Sequence, residues 1–345
     1  MDKAFLNRIQ LWSPDKKHAR HRIPGMLVTR KGTILAYCEA RSEGSDWALM
    51  DVLLQRSEDH GKTFQPPFLL AQGNEIHKTV NNPVMMQDSA GRIHFLYCED
   101  YTVNGGRALR RYSDDDGITW SDPVDVTEYT LPDDHNAFAF GPGHGITLKD
   151  GTLLVPVWMV PKHHNAPLTA HAPSVLSTFY SKDNGETWAL GEILDSNDEV
   201  ISPNETVAAL TSDGGVYLNL RNEKRCRASA YSKTGYSDWQ DYGLDEALPD
   251  PRCFGSVVSY EDGKNPYLLI FANCADKNNR DHVTVRASMD NGKTFPIVRL
   301  LDEMRGGYVE IAADEREGLI YVLYEENWGK YDHLVIFNRS WLIAD

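Results

Sequence analysis

The sequence predicts an all-β fold, a six-bladed β-propeller with four-stranded antiparallel blades, in which residues 1–345 form one domain. Two internal repeats support this prediction. A turn followed by a short apolar run occurs six times along the chain. A Ser-x-Asp-x-Gly-x-Thr-aromatic motif occurs four times. Repeats at such intervals indicate one supersecondary unit that is copied around or along a fold.

The six apolar runs follow one another at intervals of 50 to 64 residues. Each run is rich in Val, Ile, Leu and Tyr and too short for a helix, so each is predicted to be a strand. Such an interval has room for four short antiparallel strands. Six units can then close on themselves and leave few exposed edges. In chain order the runs begin at Gly32, Gly91, Gly151, Gly215, Asn265 and Gly318.

The second repeat has the chemistry of a tight turn. Its Asp can accept hydrogen bonds from nearby backbone N–H groups, and its Gly can adopt a positive φ where the chain reverses. The Ser and Thr hydroxyls can bond back to the backbone, and the closing aromatic ring can pack on its own sheet. The four complete copies begin at Ser57, Ser113, Ser181 and Ser288, and a degenerate copy begins at Ser232.

Composition limits the classes of partner. The net charge of −15 argues against nucleic acid and anionic membranes as partners, and no apolar run approaches the length of a membrane span. The five cysteines are an odd number without a Cys-x-x-Cys pair, which indicates reduced structural thiols. No signal peptide is visible, so a cytoplasmic location is expected unless a secretion signal has been removed.

A second set of residues lies outside the repeats and carries the candidate chemistry. It comprises arginines, carboxylates and one tyrosine, which are spread over nearly the whole chain. Its members occur in the segments His21-Arg22-Ile23-Pro24, Glu39-Ala-Arg41, Asp46, Pro203-Asn204-Glu205, Arg225-Cys-Arg227, Asn279-Arg280-Asp281, Gly307-Tyr308 and Tyr324-Glu325.

These segments resemble, in the same chain order, the active-site segments of the sialidases, whose Asp-box repeats the Ser-x-Asp-x-Gly-x-Thr motif also resembles. The resemblance implies that Asp46 is the acid/base, Glu205 the base and Tyr308 the nucleophile. It further implies an arginine triad for the substrate carboxylate, a bracing carboxylate and a further site arginine. For the second triad position Arg227 is preferred over Arg221 and Arg225, because it lies five residues before Ser232. The binding residues implied in this way are Arg22, Arg41, Arg227, Arg280 and Glu325.

The chemistry of sialic acids agrees with this residue set. Three guanidinium groups that converge on one carboxylate give charge-assisted bonds of fixed geometry. Their charges need acidic neighbours, for which Glu39 and Glu325 are candidates. A neutral tyrosine avoids the repulsion that a carboxylate nucleophile would meet at an anionic sugar, but it needs a base. The implied reaction is hydrolysis with retention, and it requires no metal or cofactor.

Three functional hypotheses follow from the sequence. The first is an exo-α-sialidase that acts on sialylated glycoconjugates. The second is a related glycosidase for deaminated sialic acid or for the eight-carbon ulosonic acid Kdo, because Asn81, Trp158 and Val160 differ from the residues of the animal enzymes. The third is a non-catalytic carbohydrate-binding propeller, since the Asp box also occurs in propellers without hydrolase activity.

Overall fold

A computed structural model describes residues 3–102, 105–132, 134–162 and 171–344. These residues form six antiparallel sheets, which confirms the predicted six-bladed β-propeller. A 3₁₀ turn (Thr127–Tyr129) and a short α-helix, α1 (Arg339–Leu342), accompany the strands. The strands are β1 (Leu6–Trp12), β2 (Arg20–Val28), β3 (Ile34–Arg41), β4 (Met50–Ser57), β5 (Phe68–Gln72), β6 (Val80–Gln87), β7 (Ile93–Thr102), β8 (Gly105–Ser113), β9 (Val124–Asp125), β10 (His135–Phe140), β11 (Gly143–His144), β12 (Ile146–Thr147), β13 (Leu153–Pro161), β14 (Val175–Ser181), β15 (Ala189–Leu190), β16 (Thr206–Leu210), β17 (Val216–Leu220), β18 (Cys226–Ser232), β19 (Gln240–Pro249), β20 (Ser256–Tyr260), β21 (Leu268–Cys274), β22 (Val283–Ser288), β23 (Ile297–Asp302), β24 (Val309–Asp314), β25 (Leu319–Glu326) and β26 (Tyr331–Asn338).

Four blades follow the chain as simple meanders or nearly so. The sheet orders are β2-β3-β4-β5, β16-β17-β18-β19 and β20-β21-β22-β23, while β10-β13-β14-β15 also carries β12. In the second blade, β6-β7-β8-β9, the short strand β11 adds to β6 in parallel. Inner strands of neighbouring blades lie beside one another around the centre, as β2 does with β6 and β24, and β20 with β16 and β24. The starts of the blades are therefore close in space although they are far apart in sequence.

The last blade closes the ring with a strand from the opposite end of the chain. Its order is β1-β26-β25-β24, and β1 pairs antiparallel with β26 from Leu6 opposite Phe337 onwards. Backbone hydrogen bonds thus join the N-terminal strand to the C-terminal blade. This closure pairs an edge of β26 that would otherwise be exposed.

Packing between neighbouring blades explains why the central strands are so apolar. All eight residues of β3 and all eight of β4 are buried. Such strands have neighbouring blades on both faces. They therefore lack the alternation of apolar and polar residues that is typical of a strand with one solvent-exposed face. Clusters of buried apolar side chains fill the spaces between blades, as in the group around Phe140, Phe179 and Trp188. The five cysteines are buried and free, as expected for structural thiols.

The Asp-box turns form the hydrogen bonds that their sequence predicts. In the third copy Ser181 Oγ accepts from the N–H of Gly185 at 2.8 Å and donates to Asp183 Oδ1 at 2.8 Å. The same carboxylate accepts from the backbone N–H and the hydroxyl of Thr187. Gly185 has a φ of 83°, a conformation that glycine adopts without strain. The Trp188 ring stacks on Phe179, so the turn is held against its own blade.

Replacing Ser181 with alanine is expected to lower the free energy of unfolding by about 1–3 kcal/mol, because the buried N–H of Gly185 loses its acceptor. Urea unfolding followed by tryptophan fluorescence measures this change. The exposed Ser42→Ala is the matched control, because no side-chain hydrogen bond of Ser42 occurs among the described residues. Equal unfolding midpoints for the two variants would show that the Asp-box hydroxyl contributes nothing to stability.

The helices in the described ranges are short. None of them is long and apolar enough to cross a membrane.

Candidate active site

A cavity of about 150 Å³ lies where the inner strands of several blades come together. Arginines, acids and aromatic residues line it. Of the residues predicted for a site, it brings together Arg22, Arg41, Asp46, Glu205, Arg280 and Tyr308. These side chains come from the first, fourth, fifth and sixth blades, so only the closed ring can assemble them.

Two carboxylates flank Arg41 at the end of β3. Arg41 Nε donates to Glu39 Oε2 at 2.9 Å, and its Nη1 donates to Asp46 Oδ1. Glu39 is buried, and its second oxygen accepts from the backbone N–H of Asn82 at 2.7 Å. Asp46 lies in the following loop with a side chain that is 54% exposed. Arg41 is thus fixed by a buried acid and in turn holds an accessible one.

The ionisation of Asp46 reflects these neighbours. Burial raises the pKa of its carboxyl, but the charge and the hydrogen bond of Arg41 outweigh that effect. The charge of Arg22 acts in the same direction as that of Arg41. The pKa of Asp46 therefore lies below its usual value in the free protein, and Asp46 is an ionised, solvent-accessible acid at neutral pH.

Glu325 on β25 links Arg22 to Tyr308. Its Oε1 accepts from Arg22 Nε at 2.8 Å and from the backbone N–H of Ile23 at 2.9 Å. Its Oε2 accepts from the backbone N–H of Tyr308 at 3.2 Å. Ile23 has a φ of 53°, which is strained for a β-branched residue. One buried carboxylate thus sets the direction of the Arg22 side chain and the position of the Tyr308 backbone.

Tyr308 and Glu205 form the closest acid–base contact in the cavity. The Tyr308 hydroxyl donates to one oxygen of Glu205, and Arg221 Nη1 donates to the other. Arg221 Nη1 also lies 2.9 Å from the Tyr308 hydroxyl oxygen. Burial and the charge of Glu205 raise the pKa of Tyr308 well above its usual value, although Arg221 and Arg280 oppose them. The phenol is therefore protonated at neutral pH, with a carboxylate in place to accept its proton.

Three guanidinium groups surround the Tyr308 phenol. The Cζ atoms of Arg22 and Arg280 lie 5.3 and 5.4 Å from the centroid of its ring, and Arg221 contacts its hydroxyl. Arg280 Nη1 and Arg221 Nε are buried and have no hydrogen-bond partner among the described residues. Buried donors without acceptors are costly unless an acceptor binds there. This arrangement suits an anion with several oxygens.

The prediction of Arg227 as the second arginine of this group is wrong. Arg227 is fully buried on β18, where its Nε donates to Asn219 Oδ1 and its Nη1 donates to the carbonyl oxygen of Cys253, both at 2.7 Å. It does not line the cavity. β18 is the third strand of its blade and lies away from the centre, whereas Arg221 directly follows the second strand at the cavity end. Counting from Ser232 selected the wrong strand.

The aromatic side of the cavity was missed by the sequence analysis except for Trp158. Trp47 stacks on Tyr101 and on His171 with centroid distances of 6.3 Å in each case, and Tyr101 lies 5.6 Å from Trp158. His171 Nε2 is also 4.0 Å from Asp46 Oδ2. These residues form an aromatic wall of the cavity beside Asp46.

Two of the three residues that differ from the animal enzymes reach the cavity. Asn81 and Trp158 line it, whereas the buried Val160 does not. Trp328 completes the opposite rim in a turn where its φ is 59° and its side chain is partly exposed. In the sequence, Trp328 stands between Asn327 and Gly329, two residue types typical of turns, and this is the signal that could have indicated it.

Comparison with known proteins identifies the family. Residues 32–322 match the BNR repeat-like domain. The chain is 29% identical to a sialidase of Bacteroides fragilis over 91% of its own length, and it spans 61% of that protein. It is 30% identical to Sialidase-2 of Rattus norvegicus, with 77% of this chain and 76% of that protein aligned. The solved structure of Hadza microbial sialidase Hz136 superposes with a TM-score of 0.85 at 25% identity, over 95% of this chain and 68% of that one. The arginine-lined cavity of this six-bladed propeller, with its four complete Asp boxes, thus belongs to a member of the BNR-repeat sialidase family of glycoside hydrolases.

Proposed function

We propose that the protein is a retaining exo-α-sialidase that hydrolyses terminal sialic acid from glycoconjugates. The observation that carries this proposal is the position of the Tyr308–Glu205 pair between three arginines. An anionic sugar needs both parts, a site for its carboxylate and a neutral nucleophile beside that site. Sialidases are the group of retaining glycosidases in which tyrosine has this role.

Binding begins with the carboxylate on the anomeric carbon. Arg22, Arg221 and Arg280 donate to its two oxygens, and the unpaired Arg280 Nη1 and Arg221 Nε gain an acceptor. The bound anion also offsets the charge of Arg22, which lowers the pKa of Asp46 in the free protein. The pKa of Asp46 is therefore higher in the complex, and this favours its protonated form for the next step.

The first chemical step forms the glycosyl–enzyme bond. The Tyr308 hydroxyl gives its proton to Glu205 while its oxygen bonds to the anomeric carbon. The bond from that carbon to the leaving oxygen breaks, and Asp46 donates its proton to that oxygen. Arg221, which contacts both Glu205 and the Tyr308 hydroxyl, stabilises the phenolate character of the nucleophile as it develops.

The second step releases the sugar. Asp46, now ionised, takes a proton from a water molecule whose oxygen attacks the anomeric carbon. The bond to Tyr308 breaks, and the phenolate recovers its proton from Glu205. Two displacements at one carbon retain the anomeric configuration, and the protein returns to its starting protonation state.

Fluorophore release from an α-N-acetylneuraminide tests this function, with the corresponding deaminated and Kdo glycosides as competitors. We expect the highest kcat/KM on the N-acetylneuraminide. A higher kcat/KM on either competitor would replace the proposed substrate with that sugar. Failure of the folded protein to release the fluorophore from any of them would favour the non-catalytic binding propeller.

Asn81 and Trp158 are the reason for comparing the three glycosides instead of assaying the N-acetylneuraminide alone. Both line the cavity and differ from the residues of the animal enzymes, so we propose that they contact the part of the sugar that distinguishes the three candidates. Trp158 Nε1 is buried without a hydrogen-bond partner among the described residues, so it can donate to a polar substituent.

Replacing Arg221 with glutamine is expected to raise KM for the N-acetylneuraminide roughly 10- to 100-fold, because charge-assisted hydrogen bonds to the substrate are lost. Steady-state kinetics measures the change. Arg299→Gln is the matched control, since Arg299 lies on β23, outside the cavity, and within the described ranges its side chain donates only to the neighbouring carbonyl oxygen of Val298. If KM for Arg221→Gln equalled that of the control, Arg221 would not bind the substrate carboxylate.

Arg227→Gln is expected to act differently, since Arg227 holds Asn219 and the Cys253 carbonyl inside the blade. We expect its unfolding midpoint in urea to fall. The buried carboxylate of Asp250, 3.5 Å from Arg227 Nη1, loses a cationic neighbour. A variant with unchanged stability but a raised KM would restore Arg227 to the substrate site.

A further inference from the structure

A second cavity of about 900 Å³ opens beside the inner one. The two cavities share three lining residues, Arg221, Arg280 and Trp328. The outer cavity is therefore continuous with the carboxylate end of the inner cavity. Its other walls come from the loops after β17, before β20, after β21 and before β24.

The outer cavity is basic in a protein whose net charge is −15. Arg225, Arg252 and Arg305 line it in addition to the shared arginines, against Glu223 and Asp281. Arg252 Nη1 pairs with Glu223 at 2.6 Å, which neutralises both. Within residues 3–102, 105–132, 134–162 and 171–344, neither Arg225 nor Arg305 has an ion-pair partner. Five arginines and two acids line the cavity, so its lining carries net positive charge.

Aromatic stacking and backbone hydrogen bonds hold part of this charge in place. The Cζ atoms of Arg305 and Arg280 lie 5.4 and 4.6 Å from the centroid of the Trp328 ring. The N–H of Asn327 donates to the carbonyl oxygen of Arg305, and the N–H of Gly306 donates to that of Arg280. The loops that carry Arg280, Arg305 and Trp328 are thus tied to one another. Guanidinium groups held in this way lose less freedom when they bind an anion.

The geometry of the substrate determines what enters the outer cavity. In a sialoside the anomeric carbon carries both the carboxylate and the oxygen of the leaving group. In the proposed function the carboxylate contacts Arg22, Arg221 and Arg280. The leaving group is attached to the same anomeric carbon as this carboxylate, so it begins close to these arginines. Two of these arginines also line the outer cavity. In the proposed function Asp46, which lines the inner cavity, protonates the leaving oxygen. A leaving group of two or more sugars that crosses the rim shared by the two cavities at Arg221, Arg280 and Trp328 enters the outer cavity.

We infer that the outer cavity binds the leaving group of the substrate and selects leaving groups that carry an anion, above all a carboxylate-bearing sugar such as a second sialic acid. This inference rests on the proposed function, since it uses the same orientation of the sugar. A planar carboxylate matches the fork of a guanidinium, which favours it over other anions. A sulfate ester on the leaving sugar offers the same charge and serves as the alternative in the test.

Turnover of four sialosides tests the inference. They are an α2,8-linked disialoside, 3′-sialyllactose, a sulfated sialyllactosamine and the aryl sialoside. We expect kcat/KM for the disialoside to exceed that for sialyllactose about tenfold, the size expected of two exposed ion pairs. The Arg225→Gln/Arg305→Gln double variant reduces this ratio to about one, whereas Lys62→Gln/Lys293→Gln, which removes two exposed charges from Asp-box turns, preserves it. A sulfated substrate that exceeds the disialoside would assign the cavity to sulfate esters.

Salt and binding measurements separate this inference from the proposed function. The preference for the disialoside is expected to shrink as ionic strength rises from about 0.02 to 0.3 M, because exposed charges are screened. Titration of the Tyr308→Phe variant with the disialoside and with free sialic acid measures binding without turnover, and the two arginine substitutions added to it remove the difference. Turnover without a preference for charged leaving groups overturns the outer site and leaves the hydrolase. Arginine-dependent binding of the disialoside without turnover by the parent supports the outer site and overturns the hydrolase.

Discussion

Replacing Tyr308 with phenylalanine is expected to lower kcat on the N-acetylneuraminide by about 10⁴-fold or more, the scale on which an enzyme loses activity with its nucleophile. The variant removes one oxygen and keeps the ring. The contact with Phe254, at a centroid distance of 5.5 Å, and the packing of Arg22 and Arg280 against the ring are retained. Folding and binding of free sialic acid are therefore expected to survive. Steady-state kinetics and a titration with sialic acid measure the two properties.

Tyr129→Phe is the matched control for this prediction. Tyr129 is the last residue of the 3₁₀ turn, packs partly buried against the core and does not line either cavity. The control is expected to turn over like the parent. A Tyr308→Phe variant within tenfold of the control in kcat would show that the reaction does not pass through the phenol.

The second large effect is expected for Asp46→Asn. The amide keeps the size of the side chain, but it can neither donate a proton to the leaving oxygen nor take one from the attacking water. The loss in kcat should be about 10²- to 10⁴-fold on 3′-sialyllactose, whose leaving alcohol needs protonation. On the aryl sialoside the leaving oxygen is a weaker base, so the loss of the general acid should be smaller there. Comparison of the two substrates measures the contribution of Asp46 as an acid.

Glu43→Gln controls for the removal of a negative charge from the same loop. Glu43 lies three residues before Asp46, is exposed and does not line the cavity. We expect it to act like the parent on both substrates. If Asp46→Asn reduced turnover of the lactoside and of the aryl sialoside by the same factor, protonation of the leaving group would have to come from another residue.

Most of the fold could be predicted from the sequence, because each blade of a propeller repeats similar strand and turn motifs. The six apolar runs became the second strands of the blades or part of them, and the complete Asp boxes formed the same turn four times. The pairing of β1 with β26 carried no such signal. A single exposed strand at the N-terminus has an ordinary pattern, and only ring closure determines which blade it joins.

The site was predictable where a local motif and its order along the chain are distinctive. Arg22, Glu205 and Glu325 were chosen because the segments around them resemble, in the same order, the active-site segments of the sialidases. Arg221 and Arg227 could not be separated in this way, because both flank buried strands and both find partners. Which of the two arginines lines the cavity depends on its distance from the centre of the propeller. The spacing of residues along the sequence does not give that distance.

Aromatic residues gave the weakest signal. Trp47, Tyr101 and Trp158 are aromatic residues of the kind that also fill ordinary cores. The sequence alone does not distinguish a ring that packs on a sheet from a ring that lines a binding cavity. The structure separates them, because the three rings meet at the inner cavity. The charge of the outer cavity was equally hidden, since Arg225 and Arg305 are eighty residues apart and each resembles a surface arginine.

The central claim is that Tyr308 forms a covalent bond to the anomeric carbon. A 2,3-difluoro sialic acid tests it most directly, since fluorine at C3 destabilises the oxocarbenium-like transition state and slows hydrolysis of the intermediate, while fluoride leaves from C2. Intact mass and peptide mapping of the treated protein are expected to show one sugar on the peptide that contains Tyr308, and none in the Tyr308→Phe variant. A sugar attached to Glu205 or Asp46, or a treated protein that is inactivated without any adduct, would contradict the account.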